Sequence, residues 1–278
     1  MKRPVGLVLV LAGVISLPPA AAQQSAPPRP PATAPAPTSA AAARAAAAAR
    51  QREADENLAR TYMATKRFTE AASMYEKLAK ANPREPSYFN QAGIARMKLG
   101  DLRGARGWFE RCVKVEPRFA DAYNNIGASW YTGRNFKRAL EFYQRAVALQ
   151  PGVAAYHTNV GFAFFSLNLP KDAEQAFKRA LLMDPSIFQQ NDRTGSVVQD
   201  RSVADRGLFA FTMAKSYAGT GDAVSTASYL RRAIDEGYKD IAQVYTDPTF
   251  APVLADPEVQ AVLALIPVRS EASAPASR

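Results

Sequence analysis

Four prolines recur at intervals of 34 residues, at Pro83, Pro117, Pro151 and Pro185. A period of this length, kept over four consecutive segments, is typical of a protein built from repeated structural units. One such unit is too short to bury a stable apolar core alone, so its neighbours must stack against it. The period therefore predicts an array of small units rather than a globular domain around one core.

Several columns of similar residues appear when the four segments are aligned on these prolines. A small residue stands 24 positions before each proline, at Ala59, Gly93, Gly127 and Gly161, and an alanine stands 12 positions before it, at Ala71, Ala105, Ala139 and Ala173. An aromatic residue stands eight positions before each proline, at Tyr75, Phe109, Tyr143 and Phe177. Five positions before the prolines are Leu78, Cys112, Ala146 and Ala180. Small residues let two helices approach closely, and a proline cannot continue a helix. The columns predict two antiparallel helices in each unit.

This pattern resembles the tetratricopeptide repeat family, in which each 34-residue unit is a hairpin of two helices. The resemblance covers four repeats over residues 52–185. Asp55 and Arg96 depart from it, because a large apolar residue and an aromatic residue are usual at these positions. The resemblance implies an all-α fold, an α-solenoid in which antiparallel helix hairpins form a right-handed superhelix.

A fifth, degenerate repeat is predicted over residues 207–238. Its Gly221-Asp222 pair matches the turn at Gly100-Asp101 in the second repeat, and Thr226 replaces the alanine of the period. The other columns are filled by Ala214, Tyr217, Leu230 and Ala233. This repeat starts later than the strict period requires, so residues 186–206 are predicted to be an inserted loop. Such an insertion is either a binding element or a tolerated surface excursion.

Both ends of the array carry their own signals. Residues 39–51 are predicted to be an alanine-rich helical lead-in, since alanine has the highest helix propensity. At the other end, Asp247-Pro248 and Asp256-Pro257 are each typical of a helix start. Residues 239–266 are therefore predicted to form two short capping helices that cover the last hairpin. Residues 23–38, rich in proline and alanine, and residues 267–278 are predicted to be a disordered spacer and a disordered tail.

The first residues have the parts of a secretory signal peptide. Lys2 and Arg3 precede an apolar run over residues 5–17, and three alanines at positions 20–22 provide small residues for cleavage. We predict a signal peptide over residues 1–22 and a periplasmic or secreted bacterial protein. An uncleaved N-terminal anchor is the alternative. Lipidation is not expected, because the one cysteine is Cys112.

The composition excludes several kinds of catalytic site. One cysteine cannot form a disulfide within the chain, and one cysteine with one histidine cannot build a Cys/His zinc site. A catalytic triad would have to use His157, which shares a column with Phe89 and Tyr123 and is therefore predicted to be a packing residue. Cys112 stands in an alanine column and is predicted to be an inert core thiol. With no phosphate loop or nucleophile motif, we predict neither an enzyme nor a metal or cofactor site.

In the family that this chain resembles, the first helix of each repeat lines a concave groove that binds an extended peptide or a partner's helix. The resemblance implies the following groove residues: Asn90, Gln91, Ile94, Lys98, Asn124, Asn125, Ala128, Tyr131, Thr158, Asn159, Phe162, Phe165, Phe211, Thr212 and Lys215. The Asn125 and Asn159 amides would either hold a peptide backbone or bond the adjacent helix. A carboxylate clamp of the chaperone type is not predicted, because Glu56, Arg60 and Asp121 occupy its positions.

These features together predict an exported, non-enzymatic scaffold for protein–protein interactions, with a protein or peptide partner. The net charge of +10 keeps a second class open, an electrostatic binder of anionic cell-envelope material. A third is an accessory subunit of an envelope enzyme complex. Export argues against nucleic acid, no small-molecule substrate is implied, and membrane contact is expected only with an uncleaved signal segment.

The alanine column yields a test of the predicted hairpins. Ala139→Leu would overpack one hairpin and lower the free energy of unfolding by about 1–3 kcal/mol. Urea and thermal unfolding of the variant beside the unmodified chain would measure this change. Unchanged midpoints would contradict the assignment of Ala139 to the contact between two helices.

Overall fold

A computed structural model describes residues 39–188 and 203–266, and these residues form eleven α helices and two short 3-10 helices, with no strand among them. The α helices are α1 (Ser39–Ala64), α2 (Phe68–Ala81), α3 (Pro86–Lys98), α4 (Leu102–Val115), α5 (Ala120–Thr132), α6 (Phe136–Leu149), α7 (Ala154–Ser166), α8 (Pro170–Met183), α9 (Val203–Ala218), α10 (Ala223–Asp235) and α11 (Pro257–Leu263). The fold is all-α and its helices pack in adjacent pairs, as in an α-solenoid. The predicted signal peptide, spacer and tail lie outside the described residues.

The chain divides into two compact units, and the division falls within α5, after Ser129. The described part of the amino-terminal unit comprises residues 39–129, and that of the carboxy-terminal unit comprises residues 130–188 and 203–266. Helices that are consecutive in the chain pack against each other within each unit. Each unit therefore has the local contacts expected of stacked hairpins.

Small residues and aromatic rings meet inside the hairpins as the columns predict. A Cβ atom on Gly93 would overlap the ring of Phe109, and a Cβ atom on Gly161 would overlap the ring of Phe177. Both rings are fully buried. All four alanines 12 positions before the prolines, which are Ala71, Ala105, Ala139 and Ala173, are likewise fully buried. The bare glycine surface is thus what brings the two helices of a hairpin close enough for the ring to fill the gap.

The ends of the second helices follow local rules. Side chains cap three of them, because Asp101 accepts from the Gly104 amide at 2.8 Å, Asn135 from the Arg138 amide at 3.2 Å and Asp222 from the Ser225 amide at 2.9 Å. These contacts satisfy amide groups that have no partner within the helix. Helices α2, α4, α6 and α8 each end two residues before a proline of the 34-residue period. The residue before a proline avoids the helical conformation, which accounts for this common end point.

The alanine-rich lead-in over residues 39–51 runs helically into the first repeat, because α1 continues without interruption from Ser39 to Ala64. The last part of the predicted loop over residues 186–206 is helical, since α9 begins at Val203. Phe188, inside that predicted loop, is buried with its ring centroid 5.6 Å from that of Phe177. The loop was predicted from the polar composition of the whole segment. The one apolar side chain that packs into the core, Phe188, was therefore missed.

The segment predicted to be a cap of two short helices contains two turns of 3-10 helix, Ile241–Tyr245 and Pro248–Phe250, and the α helix α11. Asp256 accepts from the Glu258 amide at 2.9 Å and starts α11, an α helix. Asp247 accepts from the Thr249 amide at 2.9 Å, but the segment that it starts, Pro248–Phe250, is a single turn of 3-10 helix. Phe250 and Val253, three positions apart, are both buried.

The two departures from the repeat pattern are explained by ion pairs. The Asp55 carboxylate lies 2.9 Å from Lys77 Nζ, which links α1 with α2. The Arg96 guanidinium lies 2.6 Å from Glu76 and 3.3 Å from Asp101. Polar residues therefore replace apolar ones where a charged partner is in reach.

Among the described helices, none combines the length and the apolar character needed to cross a lipid bilayer.

Two glycines of the amino-terminal unit provide a matched test of helix packing. Gly93→Ala is expected to lower the free energy of unfolding by about 1–3 kcal/mol, because the new methyl group would press on the Phe109 ring. Gly107→Ala, on an exposed face of α4 where a Cβ would meet nothing within 4 Å, is expected to raise it by about 0.5–1 kcal/mol. Chemical unfolding measures both variants. Equal effects of the two would contradict the close approach at Gly93.

Candidate functional site

In the amino-terminal unit, three of the predicted groove residues are buried amides. Asn90, Asn124 and Asn125 are at most 4% exposed. The Asn125 Nδ2 group donates to Asn90 Oδ1 at 3.0 Å, which joins the first helices of two neighbouring repeats. Within the part of the chain that the structure describes, Asn125 Oδ1 has no hydrogen-bond partner. Asn125 therefore ties two repeats together and keeps one buried acceptor unused.

Other predicted groove residues of this unit differ in their access to solvent. Ile94 and Ala128 are buried, so they contribute to packing rather than to an open surface. Gln91 is half-buried and Lys98 is exposed. These two side chains are the members of the predicted set that a partner reaches on this unit without rearrangement.

A charged network that the sequence analysis did not find lies beside them on α1 and α3. The Tyr88 hydroxyl donates to the Glu56 carboxylate, and Glu56 also lies 3.8 Å from Arg52 and 3.6 Å from Arg60. Burial, together with the hydrogen bond to Glu56, raises the pKa of Tyr88. Arg60 is 63% exposed at its side chain. The first helices of the amino-terminal unit thus carry an accessible polar surface, which we name the first-helix surface and define as Arg52, Glu56, Arg60, Gln91 and Lys98.

The predicted groove residues of the fourth repeat lie mostly in the core. Phe162 and Phe165 are buried, with ring centroids 6.2 and 5.1 Å from that of Phe209. Their prediction as groove residues is therefore corrected, because α9 packs on α8 and its Phe209 covers both rings. Phe209 is the residue from which this contact could have been predicted. It was not recognised, because the fifth repeat does not start where the 34-residue period places it.

Polar members of the same set are also engaged. The hydroxyl groups of Tyr131 and Ser166 are 2.8 Å apart, and the Thr158 hydroxyl donates to the Ala154 carbonyl oxygen at 3.1 Å. Asn159 is fully buried. In the carboxy-terminal unit these side chains stabilise the helices and do not present an open binding face.

The cap covers the predicted groove residues of the fifth repeat. The Phe211 ring stacks on Tyr238 at 4.6 Å between centroids and lies 5.6 Å from Phe250. Lys215 Nζ lies 2.7 Å from Glu174 and 2.8 Å from Asp247. Thr212 donates to the Leu208 carbonyl oxygen at 2.8 Å. The prediction of Phe211, Thr212 and Lys215 as partner contacts is corrected, because they are covered by the chain's own residues or bonded to them.

The ion pairs of Lys215 with Glu174 and Asp247 are partly buried, and they shift the pKa values of Lys215 and Asp247. Burial alone would lower the pKa of Lys215, but the hydrogen bonds from Lys215 to Asp247 and Glu174 outweigh it and raise that pKa. Burial alone would raise the pKa of Asp247, but hydrogen bonds from Lys215 and Thr249 outweigh it and lower that pKa. Both shifts favour the charged forms, so the contact holds the cap most firmly near neutral pH.

His157 and Cys112 are both buried inside the fold. The His157 ring nitrogen Nε2 lies 2.8 Å from the Pro151 carbonyl oxygen, and the ring is buried. Cys112 is fully buried, and burial raises the pKa of its thiol to about 12. No group of three or more metal-ligating side chains occurs among residues 39–188 and 203–266.

Comparison with protein families gives two matches to models described as tetratricopeptide repeat. One covers residues 56–87 and the other covers residues 90–154. The two matches are consecutive along the chain and span the first three of the four periodic segments. No curated protein matches the chain.

Solved structures with a similar course of helices are distant in sequence. MamA from Desulfovibrio magneticus RS-1, residues 41 to the end, is 19% identical with a TM-score of 0.48, and the match covers 66% of this chain and 94% of that one. TTC0263, a thermophilic tetratricopeptide repeat protein of Thermus thermophilus, is 18% identical with a TM-score of 0.45, covering 73% and 99%. The first tetratricopeptide repeat domain of Spaghetti (RPAP3), bound to the HSP90 peptide SRMEEVD, is 18% identical with a TM-score of 0.41, covering 43% and 94%.

The cap contact yields a pH-dependent test. A carboxyl group with a lowered pKa stabilises the fold above its unfolded pKa, and this stabilisation is lost as the pH falls through the lower, folded value. The Asp247 contribution is therefore complete at neutral pH and disappears below the ordinary value of 3.8. Asp247→Asn keeps an acceptor for the Thr249 amide but removes the charge, and should lower the free energy of unfolding by about 1–2 kcal/mol at pH 7.

Urea unfolding at pH 7 and near pH 3 measures this effect. The difference between the variant and the unmodified chain should shrink at the lower pH. The control is Asp256→Asn, which also changes an aspartate that caps a proline-led helix but forms no ion pair with a lysine among residues 39–188 and 203–266. A difference between Asp247→Asn and the unmodified chain that is as large at low pH as at pH 7 would contradict the role assigned to the ion pair.

Proposed function

The chain belongs to the tetratricopeptide repeat family, and from that premise we propose that it is an exported, non-enzymatic scaffold that binds a peptide or a helical segment of a partner protein. The partner lies along the first helices of the amino-terminal unit. No cofactor takes part in this function.

The observation that carries the proposal is the first-helix surface. Arg60, Gln91 and Lys98 extend from two successive first helices, α1 and α3, and are at least partly accessible. Successive first helices present side chains at a repeating interval, which suits a ligand that is itself extended and repetitive. The surface mixes both signs of charge with a neutral amide, which favours a polypeptide ligand over a uniformly charged polymer.

Asn125 adds a specific polar group behind this surface. Its Oδ1 atom is a buried acceptor without a partner among the described residues, and such a group costs about 1–3 kcal/mol when it is left unsatisfied. A backbone N–H of a bound peptide would satisfy it after a modest opening between α3 and α5. The neighbouring Asn90, held by Asn125 at 3.0 Å, would move with it.

A non-enzymatic role is supported by what surrounds the two residues best suited to catalysis at neutral pH. His157 is held against a backbone carbonyl group, and the Cys112 thiol is buried with a raised pKa. A thiol is a nucleophile chiefly as the thiolate, which a raised pKa disfavours. Export to the periplasm or the medium is proposed from Lys2, Arg3 and the apolar run that follows them.

Site-directed photocrosslinking in cells tests the proposal. A photoreactive amino acid at Gln91, on the first-helix surface, should crosslink one specific partner protein. The matched control is the same amino acid at Gln144, an exposed glutamine on the second helix α6. Arg60→Ala in the Gln91 background should weaken the crosslink, because it removes an accessible cation of the surface.

Crosslinking at Gln144 alone, or equal crosslinking at both positions, would contradict binding at the first-helix surface. Fractionation of the same cells places the protein. Recovery of the chain in the cytoplasmic fraction with its first residues retained would contradict export.

A further inference from the structure

The charge of the chain is unevenly distributed along the array. Residues 39–184 contain 23 basic and 14 acidic residues, whereas residues 203–266 contain 5 basic and 8 acidic ones. The excess of positive charge therefore belongs to the regular repeats. Most of it lies on the second helices.

Helix α4 concentrates this charge on one exposed face. Arg103, Gly107, Arg111 and Lys114 are all exposed, and at about 100° per residue they fall within one stripe of roughly 100°. The buried residues of α4, Ala105, Trp108, Phe109 and Cys112, lie on the opposite side. We name the exposed stripe, Arg103, Gly107, Arg111 and Lys114, the α4 strip.

Gly107 has no structural reason to be glycine. It lies in the middle of α4, where glycine costs about 1 kcal/mol relative to alanine. An added Cβ would meet nothing within 4 Å, and Gly107 is not among the residues with positive φ. The other glycine of the helix differs, because a Cβ on Gly104 would collide with the capping carboxylate of Asp101. The fold requires a small residue at 104 and not at 107.

Arg103 is also electrostatically unfavourable at its position in the helix. It occupies the first turn of α4, where the positive end of the helix dipole disfavours a cation. No ion pair involves Arg103, Arg111 or Lys114 among the described residues. Residues that are unfavourable for their own helix, and that no contact within the protein stabilises, are expected at functional surfaces.

Arg111 is held in place without being neutralised. Its guanidinium lies 4.6 Å from the centroid of the Trp108 ring. Stacking restricts the plane of the guanidinium while Arg111 stays exposed, so less side-chain entropy is lost when it binds an anion. Arg103 and Arg111 are about 12 Å apart along the helix axis, and Gly107 lies midway between them.

We propose that the α4 strip is a second docking surface, separate from the first-helix surface, and that its ligand is an acidic segment of a protein. Carboxylates about 12 Å apart bind Arg103 and Arg111, and the backbone between them rests on the bare helix at Gly107. Exposed Glu110 borders the strip, and the backbone N–H groups of an acidic polypeptide can donate to its carboxylate, whereas a phosphate polymer has no such donors.

The array contains a matched control for this surface. Helix α8 has exposed Lys171 and Arg179 at the positions equivalent to Arg103 and Arg111, but Gln175 stands where α4 has Gly107. The double variant Lys171→Gln/Arg179→Gln therefore removes the same charge from the same columns. It differs in the helix that loses the charge, in the absence of a bare midpoint and in the absence of a stacking ring, because Ala176 stands where α4 has Trp108.

The experiment measures binding of fluorescent poly-L-glutamate to the purified full chain by anisotropy. Arg103→Gln/Arg111→Gln should weaken binding by about tenfold or more, while Lys171→Gln/Arg179→Gln should weaken it by less than about threefold. Gly107→Gln, which changes no charge, should weaken binding while raising the unfolding midpoint. Circular dichroism of each variant verifies that the helices are retained.

The outcomes separate the proposal from its competitors. Equal losses for the α4 and α8 double variants would reduce the effect to net charge and overturn the proposal, as would no measurable binding to the unmodified chain. Tight binding of polyphosphate without binding of poly-L-glutamate would assign the strip to a phosphate polymer and also overturn it. Unchanged affinity of Gly107→Gln would overturn the close approach at the glycine. None of these results bears on crosslinking at Gln91.

Discussion

Contact between a small residue and an aromatic ring is the interaction on which the rest of this structure depends. Gly93 lies directly under Phe109, and Gly161 lies directly under Phe177, with no room for a Cβ atom in either case. This contact sets the separation of the two helices in these hairpins, and the buried alanines also keep the side chains between helices small. Once every hairpin has the same width, neighbouring hairpins stack, and only then is enough apolar surface buried to stabilise any of them.

The sequence predicts the helices well because their ends are set locally. A cap such as Asp101, a turn at Gly100 and a proline such as Pro117 each act within a few residues, so their effect is readable along the chain. Contacts between repeats are not encoded in this way. One of the two partners of Lys215 is Asp247, 32 residues later in a segment outside the periodic array, and no column could indicate it.

The candidate site was predicted less well for a related reason. A position in a repeat indicates which side of a helix a residue occupies, but not whether a neighbour covers that side. Phe162 and Phe165 occupy predicted groove positions and are covered by Phe209. Gln91 shares its column with Asn125 and Asn159, which are fully buried, yet it stays partly accessible. Access to the groove therefore varies from repeat to repeat, even though the backbone pattern is constant.

The cap over the fifth repeat limits how this architecture can change in evolution. Phe211 and Lys215 hold the segment that follows α10, so the last hairpin is already committed to a non-repeating neighbour. A duplicated unit added behind it would have to displace that neighbour and would leave an apolar face in water. Lineages of this protein can therefore lengthen the array by duplication among the regular units before Pro185, whereas its carboxy-terminal end is closed to growth.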